Sequence, residues 1–491
     1  MSIPNEIKKI MNILVSAKFE VFAVGGCIRD LMMGKKPEDW DLATDAHPEE
    51  IQALFEDNGY NCFYENDFGT VGVVLPENER RDFSNIVEIT TYRTESSYSD
   101  KRHPDKIHWA KTIEEDLSRR DFTSNAIAVK IVDDKTEILD PYRGSDDISN
   151  KIIRAVGDPN ERFSEDALRM FRAIRFSTTL NFSIEPKTFE AIEKNAEKTA
   201  IISKERIRDE LIKMIMSRDA AKGIDLLRET GILKHVIPEL EIGYGVSQNK
   251  HHIYDCYQHN LLTLDYAAKK NFNLHVRLAG LLHDIAKPHV KVGEGEDATF
   301  YNHEVVGAKM TQKILERLKF PKKEIEKIVI LVRFHLFYYN VGEVSESSVR
   351  RLVRQVGIEN MDDLIKLRMA DRVGSGVPKA EPYKLRHLKY LIEKTSSDPI
   401  STKMLAIDGA EIMRLLKIDS GPKVGKVLSI LLSEVLSNPE NNDVDKLRTK
   451  VEWLGSINEK ELDSLSDKAK REIDEIETKR DEMTKRKYWV T

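Results

Sequence analysis

Asp39 and Asp41 stand two residues apart in the run Asp39-Trp40-Asp41-Leu42-Ala43-Thr44. In an extended strand, residues i and i+2 point to the same face, so both carboxylates project together. Side by side they repel unless a cation lies between them, and their hard oxygen donors suit Mg²⁺. A pair of such ions activates an attacking hydroxyl and stabilises a leaving pyrophosphate. An Asp-x-Asp run alone is often a solvated turn. This one is preceded by Phe22-Ala-Val-Gly25-Gly26-Cys27-Ile28-Arg29-Asp30. There a strand running into two glycines lets the backbone turn tightly and approach a phosphate, with a helix starting nearby. Glu88, in Asn85-Ile-Val-Glu-Ile-Thr-Thr-Tyr-Arg93, shares a strand face with Ile86 and Thr90. Such a residue either faces inward, where it needs a partner or a metal, or faces water from an edge strand.

Arginines supply the second group. Arg119, Arg120 and Asp121 close the charged run Glu114–Thr123. Arg suits bidentate phosphate contacts, and Asp121 can accept from a ribose hydroxyl or orient Arg120; a plain charged helix end has the same composition. Upstream, Lys101–Lys111 is basic with one aromatic, reading either as a loop near substrate phosphates or as an exposed loop. In Glu165-Asp166-Ala-Leu-Arg169-Met-Phe-Arg172-Ala-Ile-Arg175-Phe176, Asp166 and Arg169 are three apart on a helix and can pair. An Asp beside an Arg fork offers acceptor and donor in one plane, the geometry that reads a base edge. Arg172 and Arg175 continue the stripe around the helix, with Arg175 roughly opposite Asp166, to bind phosphate or buttress Asp166. An ordinary surface ion-pair helix is the competing reading.

Histidines supply the third. His259 is followed by His283-Asp284 within Leu-Leu-His-Asp-Ile-Ala-Lys287, then by His303, His335 and Asp371. An adjacent His-Asp on an apolar helix, joined by distant His and Asp, can assemble a His/carboxylate metal site. A single buried His is more often a core residue.

These residues need a scaffold of suitable size. The chain has 491 residues, which suggests about three domains. Hydrophobic residues make up 40% and charged residues 33%, excluding disordered, collagenous and membrane classes. No stretch approaches the roughly 18 to 20 apolar residues that span a bilayer, and Met1–Leu14 lacks the layout of a signal peptide. Three scattered cysteines, Cys27, Cys62 and Cys256, argue against a disulfide framework and for the cytoplasm. A net charge of −6 gives no general attraction for nucleic acid, so any RNA contact requires a local basic patch. Strands are expected at Val21–Val24, Val71–Leu75, Ile86–Thr91 and Ala126–Ile131. Beyond Asp158-Pro159 the apolar spacing is helical, ending in the charged run Ser466–Lys487, which reads as a solvated helix or an RNA-contacting tail. The expected architecture is α+β: a mixed-sheet head over residues 1–155, then a helical neck (156–235), a histidine-rich helical domain (236–395) and a helical C-terminal region (396–491).

GG-x-x-RD, DWD, RRDFT and EDALRxxRAxRF, in this order, resemble the class II CCA-adding tRNA nucleotidyltransferases and bacterial poly(A) polymerases of the polymerase β superfamily. The resemblance covers roughly residues 20 to 230. It implies that Asp39 and Asp41 hold two catalytic Mg²⁺ ions, with Glu88 as a third acidic residue. It implies nucleotide contacts from Gly26, Arg29, Arg120 and Asp121. Asp166 and Arg169 would template incoming CTP or ATP, with Arg172 and Arg175 assisting. Ser203-Lys-Glu-Arg-Ile-Arg208 resembles the family's last neck motif, although a charged structural helix reads the same way. The histidine set resembles the HD phosphohydrolase superfamily. Its ligands would be His259, His283, Asp284 and Asp371 around a divalent transition metal, with His303 and His335 as further ligands or phosphate contacts. That domain either retains phosphohydrolase or cyclic phosphodiesterase activity or serves as a platform for tRNA. The implied activity is template-independent addition or repair of the tRNA 3′-terminal CCA, with tRNA, CTP and ATP as partners and neither DNA nor membrane. A-adding, CC-adding and poly(A)-adding enzymes are the alternatives, with an HD phosphohydrolase carrying an RNA-binding head as the rival from another class. The uninterrupted segment Tyr92–Asp116 resembles the flexible element that accompanies A addition, which disfavours CC-only addition.

Overall fold

Val21–Val24 is apolar throughout and buried at every position, as a strand covered on both faces requires. It is β1 of a seven-stranded sheet in the computed structural model, which describes residues 2–66, 69–76, 83–96, 106–133, 135–249, 253–396 and 401–490. The other strands of the head are β2 (Trp40–Thr44), β3 (Asn61–Asn66), β4 (Thr70–Val74), β5 (Ile86–Thr91), β6 (Arg93–Ser96), β7 (Lys106–Trp109), β8 (Ala128–Val132) and β9 (Lys135–Leu139). The large sheet runs β3-β4-β5-β2-β1-β8-β9, and β6 pairs with β7 separately. Only the β2–β5 pair is parallel; the other neighbours in the sheet are antiparallel. Register places Asp41 opposite Val24 on one side and Glu88 on the other. The order puts β2 in the middle of the sheet and β5 next to it, which settles Glu88 as a residue of an inner strand.

Phe22, Val24 and Ala43 from these strands pack with Tyr92, Ile113, Leu117 and Val156 in one core cluster. That cluster seats the short helix Ile113–Ser118, whose end carries the arginines. The turn that follows, Thr123–Asn125, is held from below by the helix Gly144–Asn150. Asp140 caps that helix by accepting from the backbone N–H groups of Gly144 and Ser145, and Thr123 Oγ1 donates to Asp147. The backbones come so close that a Cβ on Gly144 would lie 2.1 Å from the Thr123 carbonyl oxygen.

Among the described residues the remainder is helical apart from the small parallel pair β10 (Ile152–Ile153) and β11 (Ser183–Ile184). Asp158 caps Pro159–Glu165, with Pro159 where a missing N–H costs nothing. The expected unbroken helix through Asp166 is not formed. Asp166 is extended, with φ −137° and ψ 105°, and a second helix starts at Leu168. The HD segment builds on Cys256–Lys269, Leu274–Leu282, His303–Arg317 and Lys322–Phe334.

The chain divides into two compact units, Met1–Leu336 with Lys366–Pro378, and Phe337–Ile365 with Lys379–Thr491. The second unit is all helical among its described residues, around Ile412, Val427, Leu431, Leu447, Val451 and Leu454. Its last helix, Glu459–Lys487, buries Leu462, Ser466 and Ala469, so the charged run is packed along one face at its start. No helix of the described residues is long and apolar enough to cross a membrane.

Gly144→Ala should lower stability by about 1–3 kcal/mol through overpacking against Thr123. Urea unfolding followed by fluorescence of Trp40, which is buried in the same head, would show the shifted midpoint.

Candidate active site and metal centre

At the end of β1, Gly25 has φ +78°, a conformation that suits glycine. A Cβ there would stand 3.0 Å from Arg120 Nη1 and 3.4 Å from Asp41 Oδ2, so this glycine opens the space in which the carboxylate and the guanidinium meet. Gly26, which the resemblance implies as a nucleotide contact, opens the helix Gly26–Met32 directly after Gly25. Burial alternates from exposed Asp39 through buried Trp40 to half-buried Asp41. Asp39 lies in the bend before the strand, which begins at Trp40, so the strand rule that pairs i with i+2 does not itself place Asp39 beside Asp41. Glu88 is half-buried beside Asp41. Arg29 is largely committed to protein partners: it donates to Asp30 Oδ1 at 2.9 and 2.8 Å and to Asn125 Oδ1 at 2.9 Å. Burial, then the Asp41 charge, pushes the Cys27 thiol up to about 12, so it stays neutral beside the carboxylates.

Asp116, buried on the helix Ile113–Ser118, aims the arginines. It accepts from Arg119 at 2.7 Å and from Arg120 at 3.1 Å. Burial works against its charge, but the two guanidinium groups outweigh that and hold Asp116 below the usual carboxylate range. Sequence reasoning passed Asp116 over, although its i+3 and i+4 spacing to two arginines was visible. The alternative in which Asp121 orients Arg120 fails. Asp121 accepts from Arg172 Nε at 2.8 Å, Asn125 Nδ2 at 3.1 Å and the Phe122 N–H at 2.8 Å.

The expected Asp166–Arg169 pair is also replaced by other partners. Because Asp166 lies outside the helix, the i, i+3 rule does not bring it to Arg169. Its Oδ1 instead accepts from the Leu168 N–H at 3.0 Å, and Arg206 grips both oxygens, at 3.2 and 2.6 Å. Arg169 donates to Glu165 at 2.6 Å and to the Arg119 carbonyl at 3.0 Å, while Arg162 donates to the Ser118 carbonyl at 3.1 Å. These two carbonyls end the arginine-bearing helix, where a cation is favoured. Arg175 donates to buried Glu210 at 2.8 Å and lies 3.7 Å over the Phe176 ring, which Arg29 and Arg172 also approach. Of the expected phosphate-side loop Lys101–Lys111, residues 101–105 lie outside the described residues, and Lys106–Trp109 form β7 rather than a loop.

The histidines converge as expected. His259 and His283 bring their Nε2 atoms within 3.2 and 3.3 Å of Asp284 Oδ2, and within 3.4 and 3.7 Å of Asp371 Oδ1. His303 and His335 approach Asp284 Oδ1 at 3.3 and 3.6 Å. Two ligand sets thus share Asp284: His259–His283–Asp284 and Asp284–His303–His335. His283, His303 and His335 each direct Nδ1 at the carbonyl three residues earlier, on Gly280, Phe300 and Val332. A proton on Nδ1 there leaves the Nε2 lone pair facing the cluster, the arrangement a metal ligand needs. Despite burial, Asp284 and Asp371 raise the His283 imidazole to about 10, and both carboxylates are held well below their usual range. So many imidazoles on two buried carboxylates suit a divalent cation, and this donor set fits one. Asp39, Asp41 and Glu88 form no such closed cage among the described residues. Lys287, Arg368 and Arg372 line a cavity of about 490 Å³ together with Asp284, His303, His335 and Asp371.

A mixed-sheet head with carboxylates on paired inner strands, arginines behind them and a helical His/Asp centre define a nucleotidyltransferase-type head joined to an HD domain. The family models agree: a poly(A) polymerase head domain matches residues 21–154, a probable RNA- and SrmB-binding site of polymerase A matches 181–242, and an HD domain matches 256–371. An A-adding tRNA nucleotidyltransferase of Deinococcus radiodurans is 31% identical over 83% of this chain and 89% of its own. The chain belongs to the family of CCA-adding and A-adding tRNA nucleotidyltransferases and poly(A) polymerases that carry an HD domain. A CCA-adding enzyme of Ligilactobacillus salivarius is 43% identical over 48% of this chain; that match spans 55% of the relative's own length. The crystal structure of a Bacillus stearothermophilus CCA-adding enzyme with CTP superposes with a TM-score of 0.58 at 26% identity, covering 92% of this chain and 97% of the other.

The Asp121 carboxyl is depressed from 3.8 to about 2: burial opposes the shift, and Arg172 with Asn125 outweighs it. A depressed pKa contributes stability that is present above the unfolded value and is lost as pH falls through the folded one. Asp121→Asn should therefore cost about 2 kcal/mol at neutral pH. Acid titrations of both proteins should show the difference shrinking between pH 3.8 and about 2.

Proposed function

We propose that the protein adds or repairs the 3′-terminal CCA of tRNA without a nucleic-acid template, using CTP and ATP and releasing pyrophosphate. The observation that carries this reading is the register of Asp41 with Glu88 beside Gly25 and Arg120. Asp39, Asp41 and Glu88 are hard oxygen donors on an open sheet end, which suits Mg²⁺ held by a few carboxylates and by substrate phosphates. Bound there, Mg²⁺ would supply activation of the attacking 3′-hydroxyl and charge neutralisation for the leaving pyrophosphate. Arg120, held by Asp116, takes the triphosphate. Gly25 keeps the approach clear. Asp166 and Arg169 read the base, with Arg172 and Arg175 behind them. Cytosine and adenine both present an exocyclic amino donor that a carboxylate accepts, whereas guanine and uracil present a carbonyl there. Residues 1–155 serve as the catalytic head, 156–235 as the nucleotide-selecting neck, 236–395 as the HD domain and 396–491 as the tRNA-binding tail. A cytoplasmic site of action is supported by the small number and wide spacing of the cysteines.

Two further readings rest on particular observations. Addition of A alone is favoured by the name of the Deinococcus relative, whose match extends over most of both chains. A hydrolytic role for the HD centre, with divalent transition metals on the two ligand sets that share Asp284, is favoured by the basic lining of its cavity, which suits a phosphoester.

Transcripts of tRNA lacking CCA, or ending in C or CC, incubated with CTP, ATP or both, would be read at single-nucleotide resolution. Growth of all three to CCA and no further supports the main reading. Extension of the CC-ended transcript alone by one A identifies an A-adding enzyme. Asp39→Ala and Asp41→Ala should slow addition by about a thousandfold or more, since several kcal/mol of transition-state stabilisation depend on them. Their tRNA affinity should be unchanged in a filter-binding assay. Separately, His283→Ala should lose metal by elemental analysis while CTP addition persists.

A further inference from the structure

Asp166 is held from behind by a helix that the reaction scheme above leaves without a role. The helix Lys204–Ile215 carries Arg206 and Glu210, four residues apart and hence on one face. Arg206 grips the Asp166 carboxylate, and Glu210 holds Arg175 at 2.8 Å and stands 3.8 Å from Arg172. Each charge of the base-reading segment that it faces thus meets the opposite charge from one rigid element.

The contacts of Asp166 can be counted. A carboxylate has about four lone-pair sites. Among the described residues, the Leu168 N–H and one Arg206 N–H occupy Oδ1, and a second Arg206 N–H occupies Oδ2. One acceptor site is left, on an oxygen whose plane is set by the guanidinium fork. A single N–H from the amino group of cytosine or adenine fills it. The carbonyl oxygen of uracil or guanine brings lone pair against lone pair, and the carboxylate cannot rotate away while Arg206 holds it.

We propose that Arg206 is a specificity-determining positioning residue: by clamping Asp166 it restricts that carboxylate to one amino donor and so excludes UTP and GTP. The inference rests on the base-reading role of Asp166 given above. Arg206 touches neither the reacting atoms nor the carboxylates of β2 and β5, so its loss changes selection more than chemistry.

The test uses the full chain, tRNA transcripts lacking CCA with CTP or UTP, and CC-ended transcripts with ATP or GTP. With Arg206→Met, the CTP-over-UTP and ATP-over-GTP preferences in kcat/KM should fall about tenfold or more, the size expected for losing hydrogen bonds to a charged group. The change should lie mainly in KM, with kcat at saturating CTP within about threefold and tRNA affinity unaltered. Arg206→Lys keeps the charge without the fork and should lose less. It also carries the test if the Met variant folds poorly by circular dichroism. Unchanged preferences in the Arg206 variants, while Asp166→Ala loses them, would overturn the inference and leave base reading by Asp166 intact. Unchanged preferences in Asp166→Ala as well would overturn that reading itself. A uniform fall in kcat for all four nucleotides at constant preference would reduce Arg206 to a structural brace and reject the proposal.

Discussion

One buried carboxylate organises the arginines behind the sheet-end carboxylates. Asp116 sits at the end of a two-turn helix and holds Arg119 and Arg120 at once. An unpaired carboxylate in that position would be costly, and two loose arginines would lose entropy on meeting a phosphate. Together the three groups are compensated and already aimed. The same helix end offers its Ser118 and Arg119 carbonyls to Arg162 and Arg169, so Arg119, Arg120, Arg162 and Arg169 all hang from one short element. Ile113 and Leu117 seat that element in the sheet core.

The two cation-binding regions follow different physical rules. The HD cluster is closed, nitrogen-rich and buried, with three imidazoles pre-oriented by backbone carbonyls. Its carboxylates are already matched by histidines and by Lys287, 2.6 Å from Asp284. The sheet-end carboxylates are oxygen-only, partly exposed and spread over two strands. A resident ion suits the first, and an ion that arrives with a triphosphate and keeps some of its waters suits the second.

Much of this was legible in the amino-acid sequence where a local rule sufficed. β1 and β5 fall on the expected residues because their apolar content is dense, and the histidines converge because each sits on or at the end of an apolar helix. β3 and β9 were not foreseen: Asn61–Asn66 and Lys135–Leu139 are edge strands, and the side chains described in them, Asn61 to Tyr64 and Lys135 to Leu139, are largely exposed. The pairing within the neck was also misread. The spacing of Asp166 and Arg169 assumed one continuous helix, whereas Asp166 leaves the helical conformation and turns to Arg206, forty residues on. No periodicity in a single segment can reveal a partner chosen by tertiary packing. Arg206 was visible as part of Ser203–Arg208, which resembles the family's last neck motif and reads equally as a charged structural helix.

The break at Asp166 has a consequence for how such a chain diverges. On the proposed reading role of Asp166, a residue on a joint between two helices is aimed by the packing of its neighbours rather than by its own helix. Small changes in that packing, far from any atom that meets a nucleotide, re-aim it without altering the carboxylates of β2 and β5. On that reading, base choice would change through repacking of the neck while the register of Asp41 with Glu88 stayed the same. The letters of the motif then stop being a guide to the product.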